Sequence, residues 1–242
     1  MRISRLYTEQ GLEPDSDITL EADAGHYLTR VLKLRQGQSL VLFNGDGSDY
    51  AADLVSLQRE RVQVRVNARL PAASESPLDL CLVQAISRGE RMDQSLQKAT
   101  ELGARRLQPL FTERVEVRVE GERLDKRMVH WLGVVRAACA QSGRATVPAL
   151  EAPIELDDWL RIPARGLRFV LAPVAERSIS SLDPLTGLVE LLVGPEGGFS
   201  DEELVRCEQS GVIALSMGSR ILRTETAGPA AIAVLQAMHG DF

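Results

Sequence analysis

The chain is poor in the residues on which redox and metal chemistry depend. Its 242 residues include three cysteines and three histidines. Cys81, Cys139 and Cys207 are odd in number, far apart and in no Cys-x-x-Cys pair. That spacing argues against a disulfide framework and a zinc site, and fits a reducing cytoplasm. His26, His130 and His239 are too few and scattered for a histidine-rich metal centre, so metal-free chemistry is expected. Long apolar runs are also missing. Nothing reaches the about 18 residues that a membrane span requires. The opening Met1-Arg2-Ile3-Ser4-Arg5-Leu6-Tyr7 has no apolar signal-peptide core.

What is present is an ordinary globular balance, 44% hydrophobic and 26% charged. The net charge of −6 is unlike a typical nucleic-acid binder, but the charge is unevenly spread. Residues 1–70 carry nine basic and ten acidic side chains, and residues 88–144 carry twelve and eight. Residues 145–242 carry seven and fourteen. A polyanion can therefore meet a basic middle while the acidic excess faces elsewhere. On composition alone, these charges are equally well read as solvated faces.

Residues 1–70 read as a small β-rich unit with one helix over 24–34. Strands are expected at Ser39–Phe43, Tyr50–Val55 and Val62–Val66, with a tight turn at Asn44-Gly45-Asp46-Gly47. Such short strands suggest a compact barrel. Residues 71–77, small, polar and flanked by Pro71 and Pro77, mark a linker. Residues 78–242 then alternate strands with helices, the pattern of a parallel α/β sheet. Strands are expected at Leu78–Ile86, Leu107–Phe111, Leu167–Leu171, Val189–Val193 and Val212–Leu215. Helices are expected over Arg91–Leu102 and Leu124–Gln141, each followed by a glycine.

Two loops carry the chemistry. The first, Gly194-Pro195-Glu196-Gly197-Gly198-Phe199, follows a strand and enters a helix signalled by Ser200 and Glu203, a capping box. Its glycines let a ligand approach main-chain N–H groups. It matches neither the phosphate-binding Gly-x-x-x-x-Gly-Lys pattern nor Gly-x-Gly-x-x-Gly. Taken alone it is as readily an ordinary strand-to-helix turn. The second loop, Ser216–Thr226, sets Arg220, Arg223 and Glu225 among apolar residues ahead of an Ala-rich helix that Thr224 or Thr226 can cap. So apolar a helix must be buried, beneath the site or in a subunit interface. Charges held in such a setting are costly unless paired or used.

The stretch Leu192-Val193-Gly194-Pro195-Glu196-Gly197-Gly198-Phe199, with Gly218-Ser219-Arg220-Ile221-Leu222-Arg223-Thr224-Glu225-Thr226 some twenty residues on, resembles the SPOUT methyltransferase superfamily. Within it the chain is most similar to the ribosomal RNA small subunit methyltransferase E family. Further family-like stretches are His26–Leu32, Ser87–Met92, Gln97–Gly103 and Ala137–Arg144. The chain departs from the family at Ser219, often proline there, and at Ala172, where a histidine is common. The resemblance implies an α/β fold class: a C-terminal SPOUT trefoil-knot methyltransferase domain at 78–242 behind an N-terminal PUA-like β-barrel at 1–70. It implies S-adenosylmethionine as cofactor, methylation of N3 of a uridine in 16S ribosomal RNA within the 30S subunit, and a homodimer with the active site at its interface.

The same resemblance implies cofactor contacts at Leu171, Ala172, Val193, Gly194, Pro195, Glu196, Gly197, Gly198, Leu215, Met217, Gly218, Ser219, Ile221, Leu222 and Thr226. Uridine N3 must lose a weakly acidic proton as it is methylated, so a proton acceptor and a cation facing the carbonyl oxygens are needed. Arg223 is the expected cation. Glu225 or Glu101 is the expected acceptor, or the partner that orients the arginine. Arg30, Lys33 and Arg35 are expected on phosphate, with Arg88 and Arg91 nearer the reacting centre. Competing expectations are a related enzyme acting on a ribose 2′-hydroxyl or a transfer-RNA base, and a non-catalytic RNA-binding protein.

Overall fold

The structure, a computed structural model, describes residues 4–21, 24–25, 27–28, 32–58, 61–116 and 118–242. The chain divides into two compact units, Met1–Glu75 with Arg136–Val147, and Ser76–Val135 with Pro148–Phe242.

The first unit is built on five strands: β1 (Arg5–Tyr7), β2 (Ser16–Leu20), β3 (Ser39–Phe43), β4 (Ser48–Gln58) and β5 (Arg61–Pro71). Their order is β1-β3-β4-β5-β2, with β1 parallel to β3 and the other pairs antiparallel. The expected turn joins β3 to β4. Gly45 and Gly47 there take φ of 92° and 84°, where a Cβ is resisted. Alternate residues of β4 and β5 face one core: Tyr50, Ala52 and Leu54 with Val62, Val64 and Val66, Ala52 standing opposite Val66 and Leu54 opposite Val64. Leu6 and Ile18, from the two edge strands, pack against the same core, so the sheet wraps around a single interior. β4 and β5 run longer than expected because backbone pairing continues to Ser48↔Pro71, beyond the point where the buried alternation of β5 stops. The helix expected over 24–34 falls partly outside the described residues, and Arg30 wholly so. The segment 136–147, which the expected boundary at 71–77 leaves with the C-terminal domain, groups with the first unit. There Cys139 and Ala145 are buried against Phe43, and Arg144 pairs with Glu75 at 2.5 Å.

The second unit alternates strands and helices: β6 (Asp79–Ala85), α1 (Glu90–Glu101), β7 (Arg106–Phe111), α2 (Glu122–Ser142, its last turns grouped with the first unit), β8 (Ala149–Leu150), β9 (Ile154–Glu155), α3 (Leu156–Arg161), β10 (Leu167–Leu171), β11 (Leu188–Val193), α4 (Asp201–Gln209), β12 (Ile213–Leu215) and α5 (Thr224–His239). The sheet order is β12-β10-β11-β6-β7-β8, with β9 also on β7, and every pair is parallel. Helices on both faces explain why β6 and β11 are runs of Leu and Val and not alternating strands. α1 packs on α5. Elsewhere Val83, Val170 and Leu192 share a core with Trp159 of α3 and Cys207 of α4. All three cysteines are free and buried. Burial pushes the thiols up, Cys81 to about 12 and Cys139 and Cys207 to about 11, so none is a thiolate at neutral pH.

β12 lies beyond β10, not beyond β11, so the chain reverses its direction across the sheet. In open α/β sheets the crevice at the carboxyl ends of the strands beside such a reversal is where ligands bind.

Candidate active site

The loop after β11 is held by its own hydrogen bonds. Gly198, at φ 65°, donates its N–H to the Pro195 carbonyl at 2.9 Å. A Cβ at Gly194 would lie 3.1 Å from the Phe199 ring, so glycine there lets the ring fold back over the loop. The expected capping box is formed in full. Ser200 Oγ accepts from the Glu203 N–H at 3.2 Å, and the Glu203 carboxylate accepts from the Ser200 N–H at 2.9 Å. Glu203 is buried, and its second oxygen accepts from the Glu113 N–H at 2.8 Å. Two N–H donors thus compensate a carboxylate that would otherwise be costly to bury.

The loop before α5 is held differently. Neither Thr224 nor Thr226 caps the helix, contrary to expectation. Arg223 is the N-cap residue, no side chain bonds there, and its carbonyl accepts from the N–H groups of Thr226 and Ala227, each at 2.8 Å. The reason is geometric. Thr224 already has helical backbone, and its hydroxyl donates instead to the Gly194 carbonyl at 2.6 Å. The buried Gln84 Nε2 in turn donates to Thr224 Oγ1 at 3.0 Å. One buried chain of hydrogen bonds therefore joins β6, the second loop and the first.

Between the loops lies a cavity of about 560 Å³, at the carboxyl ends of β10, β11 and β12. Of the residues expected around the cofactor, the structure gathers all but Ser219 and Thr226 into its wall. Arg223, Glu225 and Arg91 join them. So do Pro173, Phe199, Leu204 and Arg220, which were not anticipated as contacts. Glu101 is not brought to the cavity. It sits at the end of α1, paired with Lys98 at 2.8 Å. Lys33 and Arg35 are exposed residues of the first unit.

The charges around the cavity are unequal in their partners. Glu196 Oε1 accepts from the Arg88 N–H and from the Arg91 guanidinium, both at 2.9 Å. Burial pushes the Glu196 carboxyl up, but the Arg88 and Glu196 N–H groups and Arg91 together outweigh it and hold the carboxyl below its ordinary value. Arg91 Nε also lies 3.8 Å from Glu225 Oε1. The other oxygen, Glu225 Oε2, is buried without a hydrogen-bond partner among the described residues. Arg88 pairs with Glu116 at 3.3 Å at the surface. Arg220 and Arg223 make no ion pair among the described residues. No cluster of metal-ligating side chains occurs among them either. The arrangement offers an apolar, glycine-lined slot, one free carboxylate oxygen and two uncommitted guanidinium groups. It suits a bound small molecule and a proton-losing, anion-stabilising reaction beside it.

Comparison with known proteins agrees with this geometry. Residues 74–236 match the model of an RNA methyltransferase domain, and residues 20–67 that of an RNA methyltransferase PUA domain. A ribosomal RNA small subunit methyltransferase E from Buchnera aphidicola subsp. Schizaphis graminum is 33% identical over 242 residues, covering 100% of this chain and 98% of the relative. The protein of the same name from Neisseria gonorrhoeae, solved bound to S-adenosyl methionine, is 34% identical with a TM-score of 0.92 over the whole of both chains. A methyltransferase structure from Legionella pneumophila, in complex with SAM, is 39% identical with a TM-score of 0.96, again over both whole chains.

Proposed function

Since the chain belongs to the ribosomal RNA small subunit methyltransferase E family, with a PUA-like domain and a SPOUT methyltransferase domain, we propose that it methylates N3 of a uridine in 16S ribosomal RNA at the cavity of the second unit. One observation carries the reading. An unpartnered, buried carboxylate oxygen of Glu225 and the uncommitted Arg223 share one cavity with both glycine loops.

The cavity fits S-adenosylmethionine. A volume of about 560 Å³ is that of a small-molecule site. Leu171, Val193, Leu215 and Leu222 give it apolar walls, and the glycine loops bring main-chain groups close. Gly194–Gly198 and Leu215–Leu222 would hold the cofactor, with Ala172 at the floor. When bound, the cofactor supplies an electrophilic methyl group. The chain's own residues do the rest. Glu225 Oε2 accepts the proton leaving uridine N3. Arg223 faces the carbonyl oxygens onto which the resulting negative charge spreads. Arg91 lies within reach of both carboxylates, 2.9 Å from Glu196 and 3.8 Å from Glu225. Glu101, paired with Lys98 away from the cavity, takes no part.

The remaining assignments rest on the same reading. Lys33 and Arg35, exposed in the PUA-like domain, and Arg88 at the rim would contact phosphate; Arg30 is assigned on sequence alone. A homodimer is supported by α5. It buries Ala231, Ile232 and Leu235, yet Ala230, Ala233, Val234 and Met238 stay partly open on a helix with almost no charge. A 30S substrate and a cytoplasmic site of action are assigned as part of the same reading. No helix among the described residues is long and apolar enough to cross a membrane.

The test is mass mapping of nucleosides after incubation of the chain and S-adenosylmethionine with 30S subunits, free 16S RNA and transfer RNA. A single 3-methyluridine in 16S RNA is expected. Methylation confined to transfer RNA or to ribose would overturn the assignment, and no transfer with no cofactor binding would leave an RNA-binding protein.

A further inference from the structure

β6 ends in an anomaly. Leu80, Cys81, Leu82 and Val83 are buried apolar residues of a central strand, and the next position is a glutamine, Gln84, that is only 1% exposed. Its amide is used in one sense only. Nε2 donates to the Ala85 carbonyl and to Thr224 Oγ1, both at 3.0 Å, while Oε1 has no partner among the described residues. Thr224 passes the bond on, because its own hydroxyl donates to the Gly194 carbonyl at 2.6 Å. Gln84 stands beside Val193 in the sheet register, one residue before the first loop, and Thr224 stands between Arg223 and Glu225 in the second. The polar chain thus runs from Gln84, outside the cavity wall, through Thr224 and Gly194, which are part of that wall, and spans its two halves.

We propose that Gln84 and Thr224 form a positioning relay for methyl transfer, fixing the distance between the loop that holds the cofactor and the residues that act on the RNA base. The inference builds on the methyltransferase reading but names residues that reading does not use. Neither side chain is assigned a contact with the reacting atoms, although Thr224 is part of the cavity wall. Both act through the placement of Gly194 on one side and of Arg223 and Glu225 on the other. A donor is required at 84, because Thr224 Oγ1 spends its single proton on Gly194 and accepts one in return. Directional chains of this kind stiffen the groups they join. Displacement by about 1 Å between reacting groups is enough to slow a reaction about 100-fold, whereas binding to one half of the site alone is less sensitive.

The test separates these effects. Thr224→Val removes the hydroxyl at nearly constant volume. It is expected to lower single-turnover methyl transfer by about 10- to 100-fold while the Kd for S-adenosylhomocysteine stays within about threefold. Thr224→Ser is expected to recover most of the loss. Gln84→Met should slow transfer in the same direction, and should add little to Thr224→Val when the two are combined, since both break one chain. Should Thr224→Val not fold, Gln84→Met reads the relay from its other end. Hydrogen exchange gives a second readout that needs no turnover: in Thr224→Val, amides of both 194–199 and 220–226 should exchange faster than in Thr224→Ser. The relay is overturned if transfer by Thr224→Val stays within twofold of the unaltered chain, if transfer and affinity fall by the same factor, if serine gives no recovery, or if exchange quickens in one loop alone. If the unaltered chain methylates none of the RNAs supplied, the uridine reading fails, and exchange with cofactor affinity then decides the relay.

Discussion

The two loops that face each other across the cavity are both glycine-containing strand-to-helix connections, yet they are stabilised in opposite ways. In the first, every charge is accounted for. Glu203 is spent on the capping box and the Glu113 N–H, and Glu196 on Arg88 and Arg91. In the second, Arg220 and Arg223 have no ion-pair partner among the described residues, Glu225 keeps one oxygen unused, and Ile221 is 84% exposed. This loop is tied to the first by the Thr224 hydroxyl, and at its start to the Arg177–Ile179 segment through Ser216. The difference separates tasks. A loop whose polar groups are satisfied internally is pre-organised for a ligand that it holds mainly by shape and main chain. A loop with charged groups in reserve is equipped to meet charge that appears only during reaction.

Substitutions can break this division of labour. The largest effect is expected from Arg223→Ala. Removing an electrostatic stabiliser of this kind slows transfer by about 100- to 1,000-fold. Cofactor affinity should hardly move, as single-turnover kinetics beside calorimetry will show. Glu225→Gln should follow, with a loss of about 100-fold for a general base, read by the same single-turnover kinetics. Full rates in both variants would remove the proposed roles and leave the cofactor cavity standing. Gly198→Ala acts on the other loop. At φ 65° an added Cβ costs about 1–2 kcal/mol, which should weaken S-adenosylhomocysteine binding about 5- to 30-fold. Transfer at saturating cofactor should fall far less.

The smallest effect is expected at Glu196. Its pair with Arg91 is partly open to water, so screening discounts it to about 0.5 kcal/mol, roughly a twofold change in cofactor affinity for Glu196→Gln. The carboxyl is held below its ordinary value in the folded chain, so its contribution is full above that value. It fades as pH falls through the lowered one. Affinity measured down an acid series should therefore drop in the unaltered chain and stay flatter in Glu196→Gln.

The cavity wall was legible in the sequence because its residues are contiguous around two glycine motifs, and main-chain lining follows from where a loop is. The five strands expected in the second unit were legible too, since doubly covered strands are mostly apolar runs bounded by turn residues. β1, β2 and α3 were not. Ser16–Leu20 is short and offers only Ile18 and Leu20 as apolar residues of its inward face, and α3 is a six-residue helix with acids in its first turn. Side-chain pairing was the least legible. Thr224 read as a helix cap because local spacing cannot show a carbonyl thirty residues away. Glu101 read as a candidate base because it falls in a family-like stretch, although its α-helical position turns it toward Lys98. Gln84 carried a signal that went unused: a lone amide at the end of a buried apolar strand needs a partner, and that partner marks the site.

The most direct measurement is calorimetry of S-adenosylhomocysteine against the unaltered chain, Arg223→Ala and Gly198→Ala. Binding by the first two with nearly equal affinity, and clearly weaker binding by the third, is the expected result. No heat from the unaltered chain at high micromolar ligand would remove the cofactor site, and equal weakening by Arg223→Ala and Gly198→Ala would remove the division of tasks between the loops.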